Sequence, residues 1–184
     1  MELLDALSQT FDHATKIVAG VGPDQFGMPT PCTEWDVKAL VTHTVAVVAN
    51  MGRGASGADL LPDMNAFALE SDLAAQFRSE ADRTLAAWTT RGLDGDVNVG
   101  AGPMPVAAGL AINFLDTATH TWDIATATGQ DANLPDELAS TALAMAQGLI
   151  TDEIRAFAGF DPAVVLGPDA TPTEELVAFL GRRP

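Results

Sequence analysis

Apolar residues recur at helical spacing through most of this chain. Leu3, Leu4, Leu7, Phe11, Ala14, Ile17 and Val18 gather on one face at about 100° per residue, which predicts an amphipathic helix over 3–18. Gly20, Gly22, Pro23, Gly27, Pro29 and Pro31 then crowd residues 19–32 and exclude regular structure there. Val37, Leu40, Val41, Thr44 and Val48 restore the period and predict a second helix running to about Met51, with Thr33 as N-cap and Glu34 and Asp36 in its first turn. Gly52, Gly54, Gly57 and Pro62 mark 52–64 as a connection. A third helix is expected over 65–90 from Phe67, Leu69, Leu73, Phe77, Leu85 and Trp88.

Between Gly92 and Pro105 the pattern shortens to Asp96-Val97-Asn98-Val99 among glycines and prolines, a hairpin-like excursion too small to seed a sheet. A fourth helix is bounded by Pro105 at its first position and Gly129 just past its end. Residues 135–150 predict a fifth helix and Pro172–Leu180 a short final one, with 158–170 irregular or short strand. Nothing divides residues 1–184, so the expected fold is all-α. It is a single domain built on an antiparallel four-helix bundle, with short extra helices, minor irregular or short-strand segments, and a middle open to a site.

Composition narrows the function. The formal charge is −16, with 9 Lys+Arg against 25 Asp+Glu, which argues against nucleic-acid and acidic-membrane partners. No apolar run approaches the ~18 residues of a bilayer span, and the start Met1-Glu2-Leu3-Leu4-Asp5 lacks the features of a signal peptide. The expected location is the cytoplasm. The single cysteine, Cys32, fits a reducing compartment and reads as a small buried hydrophobe ahead of the second helix. Trp35, Trp88 and Trp122 read as core or rim packing. Gly92, Gly95, Gly100 and Gly102 match no phosphate-loop spacing.

The chemistry concentrates in the histidines. His13 falls about 120° from the centre of the first helix's apolar stripe and is expected to face solvent. His43 lies on the border of the second helix's apolar face. On the fourth helix Asp116 and His120 are four apart and project together, a spacing that chelates an ion, although such pairs are commoner as simple hydrogen-bonded neighbours. Adding His43 from a facing helix gives two imidazoles and a carboxylate, a set suited to zinc, nickel or iron with coordination positions left open.

Three parts of the chain carry a family resemblance. Thr30-Pro31-Cys32-Thr33-Glu34-Trp35-Asp36-Val37, followed by Leu40 and His43, resembles the start of helix two in mycothiol-dependent maleylpyruvate isomerase-like metal-binding proteins of the DinB-like superfamily. His120-Thr121-Trp122-Asp123-Ile124-Ala125 with Thr128-Gly129 resembles that family's second motif, and Phe160-Asp161-Pro162-Ala163-Val164 with Leu180-Gly181-Arg182-Arg183-Pro184 its C-terminal signature. The resemblance implies a DinB-like four-helix bundle holding a divalent metal, zinc above all, with His43, Asp116 and His120 as ligands. Asp123 and Trp122 would support the ligands or line the pocket. Aspartate stands at 116 where the family has glutamate, one methylene shorter.

Isomerases of that family carry a further C-terminal domain, and this chain resembles their metal-binding domain. Single-domain members resemble S-transferases that act on a low-molecular-weight thiol, mycothiol, and an electrophile. Arg53, Arg78, Arg83 and Arg155 are candidates for holding a carboxylate-bearing thiol. The alternative is a non-catalytic metal-binding stress or regulatory protein of the same fold, and a homodimer is left open.

Overall fold

The structure, a computed structural model, describes residues 1–158 and 160–184, the side chains of 157 and 158 excepted. Two compact units result, one of Glu2–Ala132 and one of Asn133–Pro184 joined by Met1. The first is the expected bundle: α1 (Leu3–Ala19), α2 (Val37–Ser56), α3 (Leu73–Arg91) and α4 (Val106–Thr128). α1 packs on α3 and α4, and so does α2.

The helix directions differ from a simple antiparallel alternation. His43, early in α2, faces Asp116 past the start of α4, whereas Gly54 near the end of α2 lies against Asn98 and Val99, just before α4 begins. α2 and α4 are therefore antiparallel. Gln130, just beyond α4, donates its Nε2 hydrogen to the Ile17 carbonyl near the end of α1 at 3.0 Å, so α1 and α4 run the same way. Asp12 of α1 pairs with Arg78 of α3 at 2.6 Å, while Val18 and Ala19 lie beside Leu73 and Ala74. α1 and α3 are thus antiparallel, which leaves α2 and α3 parallel. A parallel pair needs a connection as long as the helix, about 30 Å for α2 at 1.5 Å per residue, and residues 57–72 cross that distance.

The core is filled by Leu7, Phe11, Leu40, Phe77, Trp88, Leu110, Phe114 and Ile124, all fully buried. Each removes enough apolar surface from water to favour folding by about 1.5–3 kcal/mol. Phe11 and Phe77 meet edge to face at 6.1 Å, and Trp88 Nε1–H donates to Asn113 Oδ1 at 3.0 Å. α4 is buried on nearly every side from Gly109 to Ala125, which places its polar residues inside the bundle.

Several boundaries move from their sequence-predicted places. Thr33 is not the cap of α2. Asp36 is, its carboxylate accepting the Ala39 N–H at 2.8 Å. The residues before it close a turn in which the Thr30 hydroxyl donates to the carbonyls of Trp35 (2.8 Å) and Cys32 (3.0 Å). α2 also continues past Met51 to Ser56, because Gly52 and Gly54 serve close approach. A Cβ on Gly52 would stand 2.4 Å from Thr84 Oγ1, and one on Gly54 2.5 Å from the Asn98 carbonyl.

α3 starts at Leu73 on an Asp72 cap, so 65–72 is not helical. The hairpin forms as two short strands, β1 (Asp96–Asn98) and β2 (Pro103–Pro105), antiparallel with Val97 opposite Met104. α4 ends where expected, on Gly129 at φ 71°, a left-handed conformation that suits glycine.

In the second unit α5 (Asp136–Leu149) packs on α7 (Pro172–Phe179). Thr171 and Glu174 form a reciprocal capping box at the start of α7. α6 (Asp152–Ala158) was not foreseen. It takes the first residue of the expected irregular stretch 158–170; Gly159 of that stretch lies outside the described residues, and 160–170 has no regular element. Among the described residues no helix is long and apolar enough to cross a membrane.

Candidate metal centre

Helix period and helix pairing together assemble the site. Asp116 and His120 stand one turn apart on α4, and α2 brings His43 across from them. Asp116 Oδ2 lies 3.5 Å from His43 Nε2 and 3.7 Å from His120 Nε2. One ligand atom from each of the three residues falls within 4.8 Å of the others. All three side chains are mostly buried, at 17%, 23% and 11% exposure for His43, Asp116 and His120, so one edge of the cluster remains open to solvent.

Asp123 completes the arrangement. Its side chain is fully buried, and its Oδ2 lies 3.0 Å from His120 Nδ1. A carboxylate in that position holds the proton on Nδ1 and leaves the Nε2 lone pair toward Asp116 and His43, the orientation that a metal-binding imidazole requires. Trp122 is buried at 5% exposure on another side of α4, two residues and hence about 200° around from His120.

Two side chains that sequence pattern alone assigned to packing stand at this site. The Trp35 ring lies 4.3 Å from that of His43 and 5.8 Å from that of His120, and the two imidazoles are 5.0 Å apart and nearly perpendicular. Cys32 lies close to His120 and Asp123. Both arrive through the turn that the Thr30 hydroxyl closes. Their only sequence signal was the compact Thr30–Trp35 motif directly ahead of the helix that carries His43.

His13 belongs to neither group of candidate ligands, but it does not face solvent as expected. It is half-buried on α1, and its buried Nε2 has no hydrogen-bond partner among the described residues. Desolvation holds its pKa below the ordinary histidine value, with Lys16 adding to the effect and Asp131 opposing it.

The four candidate arginines are engaged elsewhere. Arg78 pairs with Asp12 and Asp82, Arg83 with Glu80, Arg53 with the Asp59 carbonyl, and Arg155 with the carbonyls of Asp161 and Phe179.

Residues 7–125, which carry all of these site residues, match the family model described as the mycothiol maleylpyruvate isomerase N-terminal domain. Two proteins described as uncharacterized, from Mycobacterium tuberculosis strains CDC 1551 / Oshkosh and ATCC 25618 / H37Rv, are each 32% identical over 186 residues, covering 99% of this chain and 98% of theirs. No solved structure matches the chain significantly.

Proposed function

Because this chain belongs to the mycothiol maleylpyruvate isomerase N-terminal domain family, we propose that His43, Asp116 and His120 hold one divalent first-row ion, zinc by donor type. The proposed activity is that of an S-transferase or isomerase-like enzyme acting on a low-molecular-weight thiol, mycothiol. The observation that carries this reading is the convergence of two imidazole nitrogens and a carboxylate oxygen within 4.8 Å, on two different helices.

The donor set fits the ion. Two ligands at bonds of about 2.0–2.2 Å and a tetrahedral angle lie roughly 3.3–3.6 Å apart. The separations of 3.5 and 3.7 Å from Asp116 Oδ2 are close to that span. Aspartate therefore serves here despite its shorter reach, since α2 and α4 bring the imidazoles to it.

The chain's own residues would work as follows. Asp123 keeps the proton on His120 Nδ1, so Nε2 offers its lone pair inward. Trp35, tilted over His43, restricts that ring and covers its face from water. Three protein donors leave the solvent-open edge for a small molecule. When bound, a divalent ion there supplies the Lewis acidity that lowers a thiol's pKa and yields the nucleophilic thiolate.

The test is metal analysis of protein purified without an affinity tag, joined to a mycothiol-conjugation assay across a panel of electrophiles. One ion per chain and conjugation in wild type, with both lost in His120→Ala, supports the reading. Conjugation that survives in metal-free His120→Ala contradicts it.

A further inference from the structure

His120 stands between two groups of donors. Its Nε2 faces Asp116 and His43, while its Nδ1 faces Asp123 at 3.0 Å. Cys32 joins His120 and Asp123 in a second group: one ligand atom each from the three residues lies within 4.8 Å of the others. Asp123 is fully buried, and Cys32 and His120 are largely so. The structure therefore presents a sulfur-containing donor set that the proposed S-transferase site does not use.

We propose that Cys32, His120 and Asp123 form a second metal site, for a thiophilic ion such as cadmium, and that it competes with the first donor set for the same imidazole. Soft thiolate donors favour soft ions, whereas the two imidazoles and carboxylate of the first set favour borderline ones. Zinc-length sulfur–metal and nitrogen–metal bonds of about 2.3 and 2.0–2.1 Å at a tetrahedral angle set the donors roughly 3.5–3.6 Å apart, and a larger ion such as cadmium sets them wider. Cys32 sits in a turn and not in a helix, and its donor atom already stands within 4.8 Å of those of His120 and Asp123. On binding, the thiol proton leaves to solvent as the sulfur–metal bond forms.

Competition follows from the imidazole. A neutral ring carries one proton on one nitrogen. The first set needs the Nε2 lone pair with the proton on Nδ1 toward Asp123. The second needs the Nδ1 lone pair, with the proton moved to Nε2 on the side of Asp116. As long as the ring stays neutral, His120 thus serves one set at a time.

The inference shares His120 with the proposed function, and the test separates the two. The full-length protein, reduced with a phosphine and kept in thiol-free buffer, is titrated with cadmium. The ultraviolet sulfur-to-cadmium charge-transfer band and the cadmium bound per chain are read together. Cys32 is the sole cysteine of the chain, so any such band reports on it alone.

The expected result is one cadmium per chain with the band in wild type, the band at full amplitude in His43→Ala, and one cadmium without the band in Cys32→Ser. Cys32→Ala replaces the serine variant if circular dichroism shows the latter unfolded, and the wild-type band decides by itself. One cadmium bound without a band in wild type overturns the second site and leaves the proposed function standing. No cadmium bound at all overturns both. Loss of the band in His43→Ala means that Cys32 serves the first set, and two cadmium ions bound at once overturn the competition; either result contradicts the proposal.

Discussion

Asp123 orients one nitrogen of His120 from a fully buried position. Replacing an outer carboxylate of this kind costs about 10–100-fold in metal affinity, so Asp123→Asn should weaken zinc binding by that factor while the helical circular dichroism stays unchanged. Competition against a chromophoric chelator measures it, and an unaltered affinity would remove Asp123 from the account. His13 gives a second prediction at this scale. Its native pKa lies below the 6.5 of the unfolded chain, so between the two values the unfolded state binds the extra proton. Stability therefore falls as pH drops through about 6.5 toward the lower native value. In metal-free protein His13→Gln should show a flatter dependence than wild type across pH 7.5 to 5 in urea unfolding, and parallel curves would contradict it. Helix period made the Asp116–His120 pair legible in the sequence, because residues four apart on a helix share a face. The burial of His13 was not legible, since it depends on what α1 meets and not on its own stripe. Sequence pattern points Trp35 and Cys32 to packing, because a turn, which has no period, carries them to the site.

The elements were legible where a steric rule acts alone and hidden where neighbours decide. Gly129 ended α4 as predicted, since little else tolerates its left-handed backbone. Thr33 and Asp36 both satisfy the rules for a helix cap, and Asp36 takes the role because the Thr30 hydroxyl holds the carbonyls of Cys32 and Trp35, either side of Thr33, in a turn. Asp36→Ala should accordingly cost about 1 kcal/mol, whereas Thr33→Ala should cost little; urea midpoints compare them, and the reverse order would be decisive against this boundary. Gly52 and Gly54 fit the pattern of helix breakers, yet both lie where α2 packs close against its neighbours. Gly52→Ala gains about 1 kcal/mol of helix propensity but drives a methyl group into Thr84 Oγ1 and to 3.0 Å from its Cα. Net destabilisation of about 1–3 kcal/mol is expected, and a stabilised variant would show that α2 and α3 can move apart. α6 went unseen because seven residues hold too few apolar positions to make a period.

At the scale of the molecule, hydrophobic pattern shows which faces are buried but carries no direction, so the parallel pairing of α1 with α4 and of α2 with α3 was not readable in advance. The connection expected over 52–64 runs over 57–72 in the structure. The outcome matters for chemistry: α2 and α4 run antiparallel, and that pairing sets His43 opposite Asp116 and His120. The proposed ligands, three side chains from two helices, would tie an ion to the folded state. A ligand at 100 times its dissociation constant adds about 2.7 kcal/mol to stability, and wild type should gain thermal stability with zinc while His43→Ala should gain far less. The most direct test of the central claim is zinc stoichiometry by equilibrium dialysis on tag-free wild type and His120→Ala. The account predicts one zinc per chain in wild type and none in the variant, and equal binding by the two proteins, or no zinc on wild type, would contradict it.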